Sequence, residues 1–153
     1  MTTTFRYQTT VRPEWIDYNG HMQDAFYGLI FSYAVDAFQD AVGFDGAYRD
    51  RTGCTIYLLE DHKFFLREVR EGALVEVETV LLDFNEKRFH LWSAMKEAGE
   101  LVAISEMVEM HVQQSPQPHG VAMPRAHLDR LAAARMAAAD VAAMPRRSRG
   151  LGI

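Results

Sequence analysis

One segment constrains the fold of this 153-residue chain more than any other. Residues 26–42 place apolar side chains at helical spacing, and Gly43 follows them as a C-cap. The repeating positions are Phe26, Leu29, Ile30, Tyr33, Ala34, Ala37, Phe38, Ala41 and Val42. The opposite side of the helix is also bulky, with Tyr27, Phe31 and Val35. Because a helix that is apolar nearly all round is usually buried on most sides, this pattern predicts a helix wrapped by a sheet.

Much of the remaining chain has strand-like patterns. Threonine and aromatic residues make 4–12 a first strand, which Pro13 ends or bends because proline offers no ladder donor. Residues 54–69 predict either one long strand or a strand with a bulge. Alternating apolar residues then predict three further strands, over 74–84, 88–98 and 100–113. Tight turns at 85–87 and Gly99 join these three strands, which indicates an antiparallel meander.

The C-terminal part differs in composition from the strands. Pro116 and Pro118 end the sheet, and the alanine-rich residues 124–144 predict a C-terminal helix. Residues 145–153 predict a basic, mobile tail. We therefore expect one α+β domain over 1–144, in which a curved antiparallel sheet packs around one long helix, followed by this tail.

Composition excludes several classes of protein. The net charge of −5 and the pI of about 5.6 argue against a general nucleic-acid binder, which usually carries a basic face. The single cysteine, Cys54, permits no internal disulfide and no metal site built on cysteine pairs. No apolar run approaches the roughly 20 residues that span a bilayer, and residues 1–15 lack the apolar core of a signal peptide. We expect a cytoplasmic protein with no membrane partner.

The sequence DYNGHMQDAFY, at the start of the predicted helix, carries a family resemblance. It resembles the hotdog-fold acyl-CoA thioesterases of the 4-hydroxybenzoyl-CoA thioesterase type. In that family an aspartate, a Gly-His pair and a tyrosine recur at the spacing of Asp17, Gly20, His21 and Tyr27. The resemblance covers residues 5–114 and implies a hotdog fold, hydrolysis of an acyl-CoA thioester, and homodimers or homotetramers with active sites at subunit interfaces.

A finer resemblance concerns the acyl group. The stretches EWIDYNGHM, FLREVREG and LLDFNEKRFHLW resemble the thioesterases of carnitine degradation, which hydrolyse betainyl-CoA alone or fused to carnitine dehydrogenase. Seven residues after the aspartate, many family members carry Asn, His or Tyr, whereas this chain has Asp24. An extra carboxylate at that position suits a cationic acyl group.

Asp17 is the leading candidate for the chemistry. The resemblance implies that its carboxylate either deprotonates an attacking water or attacks the thioester carbonyl itself. A turn or N-cap aspartate is the structural alternative. By the same resemblance, a backbone amide near Asp24, at the positive end of the helix, stabilises the oxyanion.

The other residues of the motif each have two interpretations. Gly20 predicts a positive φ or a close approach of the ligand, and Asn19 serves either the substrate or the turn alone. His21 is a general base or an anchor for the ligand, or else a structural histidine that hydrogen-bonds local backbone. Glu60 and His62 lie on one face of the second strand, which faces either the binding groove or solvent.

Four aromatic residues are candidates for binding a trimethylammonium group through cation–π attraction, with burial in the core as the alternative. They are Trp15, Tyr18, Tyr57 and Trp92.

The resulting expectation is an acyl-CoA thioesterase with betainyl-CoA as the favoured substrate. We expect no metal and no cofactor beyond the CoA of the substrate. Two other hotdog functions remain open: an acyl-CoA binding or sensor module, which needs no Asp17 carboxylate, and an acyl-thioester hydratase.

Overall fold

The computed structural model describes residues 2–153. Four helices and six strands follow one another along the chain, with one 3-10 turn at Pro13–Trp15. Within the described residues, no helix has the length and apolar content needed to cross a membrane. In chain order the elements are β1 Phe5–Thr10, α1 Asp24–Val42, α2 Gly46–Thr52, β2 Cys54–Phe65, β3 Leu74–Phe84, β4 Arg88–Glu97, β5 Glu100–Gln113, β6 His119–Gly120, α3 Arg125–Ala134 and α4 Ala138–Ala143.

The strands form one antiparallel sheet that curls around α1. Its order is β1-β3-β4-β5-β2, and the short β6 adds to β5. Tyr27, Phe31 and Val35 on α1 are all buried, as are Ile30 and Phe38 of its predicted apolar stripe. Phe26, Leu29 and Ala37 of that stripe are half-buried, and Tyr33 and Ala41 are exposed. The predicted wrapping of the helix is therefore confirmed, and the architecture is the hotdog fold. We call the side of the sheet that packs on α1 the inner face.

Three bulges among the described strands help the sheet to curl, one of them between β4 and β5, where the register shifts between Met95 and Lys96. The register of β2 against β5 shifts between Leu58 and Glu60, and that of β3 against β4 shifts between Leu81 and Asp83. A bulge adds one residue to one strand, which bends that strand and increases its local twist. Of the two alternatives for residues 54–69, the structure has the bulged strand, and it ends at Phe65.

Two short elements and one break are absent from the sequence prediction. Helix α2 is held by the carboxylate of Asp45, which accepts a hydrogen bond from the Tyr48 amide at 2.8 Å. Strand β6 is only two residues long. The C-terminal helix is divided into α3 and α4, because the chain turns extended at Arg135 and the Met136 N–H donates to the Leu81 carbonyl at 2.9 Å.

Part of the basic tail packs on the outer face of the sheet. The guanidinium of Arg147 donates to both oxygens of buried Glu106, and the Ser148 amide donates to the same carboxylate at 2.6 Å. Burial alone would raise the pKa of Glu106. The bonds from Arg147, Ser148 and His90 outweigh burial and lower that pKa to about 2. Glu106, which lies between the apolar residues Ile104 and Val108 on the outer face of β5, thus anchors the tail.

A second buried carboxylate lies on the inner face of β5. Glu109 is only 4% exposed and hydrogen-bonds no side chain or amide in the described part of the chain. Burial, followed by the negative charges of Asp36 and Asp61, raises its pKa to about 7. The folded protein therefore favours the protonated form of this carboxyl.

Replacing this carboxyl by a neutral amide should stabilise the fold at alkaline pH. Above the unfolded-state pKa of about 4.5, the unfolded chain loses this proton while the folded chain keeps it up to about pH 7. Stability therefore falls as pH rises through that interval, by up to about 3 kcal/mol for a shift of this size. We expect Glu109→Gln to raise the Tm by several degrees at pH 8 and much less at pH 5.

Thermal unfolding at both pH values measures this effect. Glu86→Gln, which changes an exposed carboxyl in the β3–β4 turn, is the matched control and should shift the Tm little at either pH. An equal shift for Glu109→Gln at pH 5 and pH 8 would contradict the assignment.

Candidate active site

The loop that carries Asp17 is a closed turn. The N–H of Asp17 donates to the His21 carbonyl at 2.9 Å, and the N–H of Gly20 donates to the Asp17 carbonyl at 3.0 Å. Ile16 and Met22 form an isolated antiparallel bridge on either side. Gly20 has a φ of +80°, which an L side chain rarely adopts, so this turn requires glycine.

Further bonds fix this turn to the body of the protein. The Met22 N–H donates to the Val69 carbonyl at 2.9 Å, and the Gln23 N–H donates to the Trp15 carbonyl at 2.9 Å. Trp15 is buried and stacks on Phe26, with their ring centroids 5.7 Å apart. The position of Asp17 is therefore set by buried contacts on both sides of the loop.

The carboxylate of Asp17 faces an open cleft of about 470 Å³. One of its oxygens, Oδ1, accepts a hydrogen bond from the Asn19 amide at 2.8 Å. In the described chain no group hydrogen-bonds Oδ2, so this oxygen is free to meet a ligand or a water. The residues that line the cleft are Asp17, Met22, Asp24, Tyr27, Phe65, Leu66, Arg67 and Glu68.

Helix α1 begins at the same cleft without a side-chain cap. Gln23 occupies the N-cap position and its side chain makes no capping bond. The Phe26 N–H donates to the Gln23 carbonyl, whereas the N–H groups of Asp24 and Ala25 have no acceptor among residues 2–153. A missing cap costs a helix about 1 kcal/mol. It also leaves two backbone donors, at the positive end of a 19-residue helix, open to an anion.

Tyr27 joins the helix start to the chain after β2. Its hydroxyl donates to the Arg67 carbonyl at 3.1 Å, and its ring meets Phe65 edge-on at 5.3 Å between centroids. Burial is the main cause that raises the pKa of the Tyr27 phenol. The phenol is therefore neutral, and its hydrogen bond to the Arg67 carbonyl holds this part of the cleft wall in place.

His21 contributes its backbone to the turn. Its carbonyl accepts the Asp17 N–H, and its Nε2 lies buried, 3.7 Å from Glu68 Oε1, without a hydrogen bond in the described structure. No hydrogen bond joins the His21 ring to the Asp17 carboxylate. Within residues 2–153 the His21 ring hydrogen-bonds no local backbone either, so both interpretations of this side chain stay predictions.

The remaining candidates are spread over the molecule. Tyr18 is 98% exposed and Tyr57 lies exposed on β2. Glu60 and His62 line a second cleft with Glu106 and His90, on the outer face. Trp92 is on that face too, where its Nε1 lies 3.5 Å from the Arg146 carbonyl.

The structure therefore brings only part of the predicted set together. Asp17, Asp24 and Tyr27 share one cleft, and Asn19, Gly20 and His21 shape the turn beside it. Trp15 is sealed in the core below. Phe65 and Glu68 were missed from the sequence, since nothing local shows that the end of β2 meets the start of α1.

The arrangement suits attack on a polarised carbonyl. The Asp17 carboxylate, with one oxygen free of hydrogen bonds, shares a solvent-open cleft with the start of α1, where the N–H groups of Asp24 and Ala25 have no acceptor among residues 2–153. Donors of this kind stabilise the negative oxygen that forms when a thioester or ester is attacked, and the carboxylate supplies the base or the nucleophile.

Comparison with known proteins gives a consistent result. The family model described as the thioesterase-like superfamily matches residues 11–145. A betainyl-CoA thioesterase of Pseudomonas aeruginosa is 49% identical over 108 residues, which cover 69% of this chain and 68% of the relative.

A longer relative and a solved structure extend the comparison. An Agrobacterium fabrum L-carnitine dehydrogenase/betainyl-CoA thioesterase is 39% identical over 78% of this chain, and the chain spans only 25% of that protein. A Staphylococcus aureus protein solved in complex with CoA superposes with a TM-score of 0.80 at 29% identity, over 88% of this chain and 85% of the other.

Proposed function

Since this chain belongs to the thioesterase-like superfamily and is an acyl-CoA thioesterase, we propose that its substrate is betainyl-CoA, the thioester of the carnitine-degrading relatives. The observation that carries the proposal is the acidity of the cleft. Asp17, Asp24 and Glu68 line it together with one cation, Arg67. The Arg67 guanidinium lies 3.8 Å from Glu100, so part of its charge is already balanced. A cleft with this charge favours an acyl group that carries a positive charge.

The proposed reaction uses two elements of the cleft. The thioester oxygen accepts from the free amides at the start of α1, and these donors stabilise the oxyanion that forms on attack. The Asp17 carboxylate either takes a proton from the attacking water or attacks the carbonyl and forms a mixed anhydride, which water then opens. By either route the C–S bond breaks, CoA leaves as the thiol, and the acyl group leaves as the free acid.

Removing the charge of Asp17 should abolish turnover. Asp17→Asn keeps the size of the side chain and its bond to the Asn19 amide, but an amide neither removes a proton nor attacks the carbonyl. We expect kcat to fall by at least about 100-fold, the usual contribution of a general base. Release of CoA thiol measures the rate.

Asp50→Asn, an exposed aspartate on α2, is the control and should retain full activity. Equal rates for Asp17→Asn and wild type would show that the carboxylate takes no part. A wild-type protein that binds betainyl-CoA without releasing thiol would instead show a binding module.

A substrate panel tests the acyl group. Betainyl-CoA is compared with 3,3-dimethylbutyryl-CoA, which has the same shape without the charge, and with benzoyl-CoA, which is aromatic. We expect betainyl-CoA to have the highest kcat/KM, by about tenfold or more over the neutral compound of the same shape. A preference for either neutral thioester would refute the proposed substrate.

The proposal also includes a homodimer formed along β2. This strand is twelve residues long and lies at an edge of the sheet, where β5 is its one partner among the strands of residues 2–153. Its exposed backbone is flanked by the apolar side chains of Tyr57, Leu58 and Leu59, which are 38%, 52% and 46% exposed. A long apolar edge strand is a template for pairing with another strand. We take a second copy of this chain as its occupant.

Charge along β2 selects one register for this pairing. A two-fold axis perpendicular to the sheet keeps the inner faces of both copies on one side. Since residues that lie opposite each other in an antiparallel pair point to the same face, the axis must pass between one residue and its own copy in the partner strand. Centred on Asp61, it would place two carboxylates opposite each other, which is unfavourable. Centred on His62, it places Asp61 opposite the partner's Lys63 twice. Because Phe65 on the same strand lines the Asp17 cleft, this interface would border the active site.

A charge swap tests this register. Lys63→Asp should convert the dimer to a monomer, because two aspartates then face each other twice, and the double variant Asp61→Lys with Lys63→Asp should restore the dimer. Light scattering coupled to size exclusion measures the mass. An unchanged mass for the single variant would contradict the register.

The cytoplasmic location expected from the sequence remains part of the same proposal.

A further inference from the structure

We propose that Phe65 forms the aromatic wall that receives the quaternary ammonium group of the acyl chain. This inference rests on betainyl-CoA being the substrate and adds a specificity-determining residue to the Asp17 cleft. Phe65 closes β2 and pairs with Ala103, a core residue of β5, so its ring lies on the inner face beside α1.

The ring of Phe65 is unusually open for its size. The Phe65 side chain is 53% exposed, and it lines the same open cleft as the Asp17 carboxylate. Tyr27 packs against it nearly perpendicularly, at an interplanar angle of 86°, and so fixes its orientation. Because the ring is held in place and lines the Asp17 cleft, it offers a surface to a ligand there. In the pairing centred on His62, the side of Phe65 toward the neighbouring strand would meet Leu59 of the partner subunit.

The chemistry of the acyl group explains the need for an aromatic ring. In a betainyl thioester the ammonium nitrogen is two bonds from the carbonyl carbon, so both groups must occupy one cleft. A quaternary ammonium has no N–H and cannot donate a hydrogen bond to a carboxylate. It is recognised instead by aromatic faces, supported by negative charge nearby. Asp24 and Glu68 supply that charge in the same cleft.

The other aromatic candidates lack a free face at the cleft. Trp15 is 5% exposed, with Phe26 stacked on it and the Arg12 guanidinium 5.3 Å from its ring. Tyr18 and Trp92 do not line the cleft, and Tyr27 is 4% exposed. Among the residues that the structure describes, Phe65 is thus the aromatic side chain that combines an open face with proximity to Asp17.

The experiment compares Phe65→Leu and Phe65→Tyr on betainyl-CoA and on its neutral counterpart, 3,3-dimethylbutyryl-CoA. Leucine keeps the apolar contact and removes the π face, so kcat/KM for betainyl-CoA should fall by about 2- to 30-fold, the range of cation–π energies. The rate on the neutral thioester should change less than that on betainyl-CoA. Phe65→Tyr, which keeps a ring, should retain the wild-type preference for the cation.

Phe64→Leu is the matched control. Phe64 precedes Phe65 on β2 and lies on the outer face. Its ring centroid is 4.8 Å from that of His62, at a tilt of 46°, and the Arg149 guanidinium carbon is 5.6 Å from the Phe64 ring centroid. This variant loses a phenyl ring from the same strand and should change neither rate. Mass and Tm are measured for every variant, and any that loses the wild-type assembly is replaced by Phe65→Met, which keeps the bulk.

The outcomes separate this inference from the proposed substrate. If wild type prefers betainyl-CoA and Phe65→Leu loses that preference, the aromatic wall is supported. If wild type prefers betainyl-CoA and Phe65→Leu keeps the same preference, or loses both substrates equally, the wall is refuted and the substrate stands. If wild type shows no preference for the cation, the substrate proposal itself fails.

Discussion

The burial of α1 against the inner face is the constraint on which the rest of this structure depends. Helix α1 is buried around most of its circumference, and a sheet that bends around it supplies the cover, with the bulges in β2 and β3 assisting that bend. The bend brings the end of β2 to the start of the helix. The Asp17 cleft lies where these two elements meet, so its geometry follows from the packing of the core.

Strong periodicity made most of the fold predictable from sequence. The long helix and the strands β1 to β5 each carry an apolar repeat that is independent of distant residues. The missed elements lack such a repeat. Helix α2 depends on a single cap from Asp45, and the break at Arg135 depends on a bond from Met136 to the distant carbonyl of Leu81. The break is decided by a contact between distant residues, which no local pattern encodes. The Asp45 cap is local, but the seven residues of α2 are too few to show an apolar repeat.

The candidate site divides in the same way. Asp17, Gly20 and Asp24 are close in sequence and shape one turn and one helix start, so a local motif was enough to find them. Phe65 and Glu68 come about fifty residues later and reach the cleft only through the pairing of β2. The aromatic residues show why composition is a weak guide, because Trp15 is as aromatic as Phe65 and is nevertheless sealed in the core. Which face a ring presents is decided by the register of its strand or turn.

The tail contact has a consequence for what counts as the folded unit. Two opposing influences act on Glu106: burial, which favours the proton, and groups from Arg147 and Ser148, which favour the charge. Those groups arrive 41 and 42 residues later in the chain. With them in place, the carboxylate stays ionised down to about pH 2, and its contribution to stability is lost progressively as the pH falls from about 4.5 to about 2. A chain that ends at residue 144 would lose these bonds and the cover that the tail lays over Glu106, and it would keep the bond from His90. The bonds from the tail thus lower the pH at which this carboxyl takes up a proton.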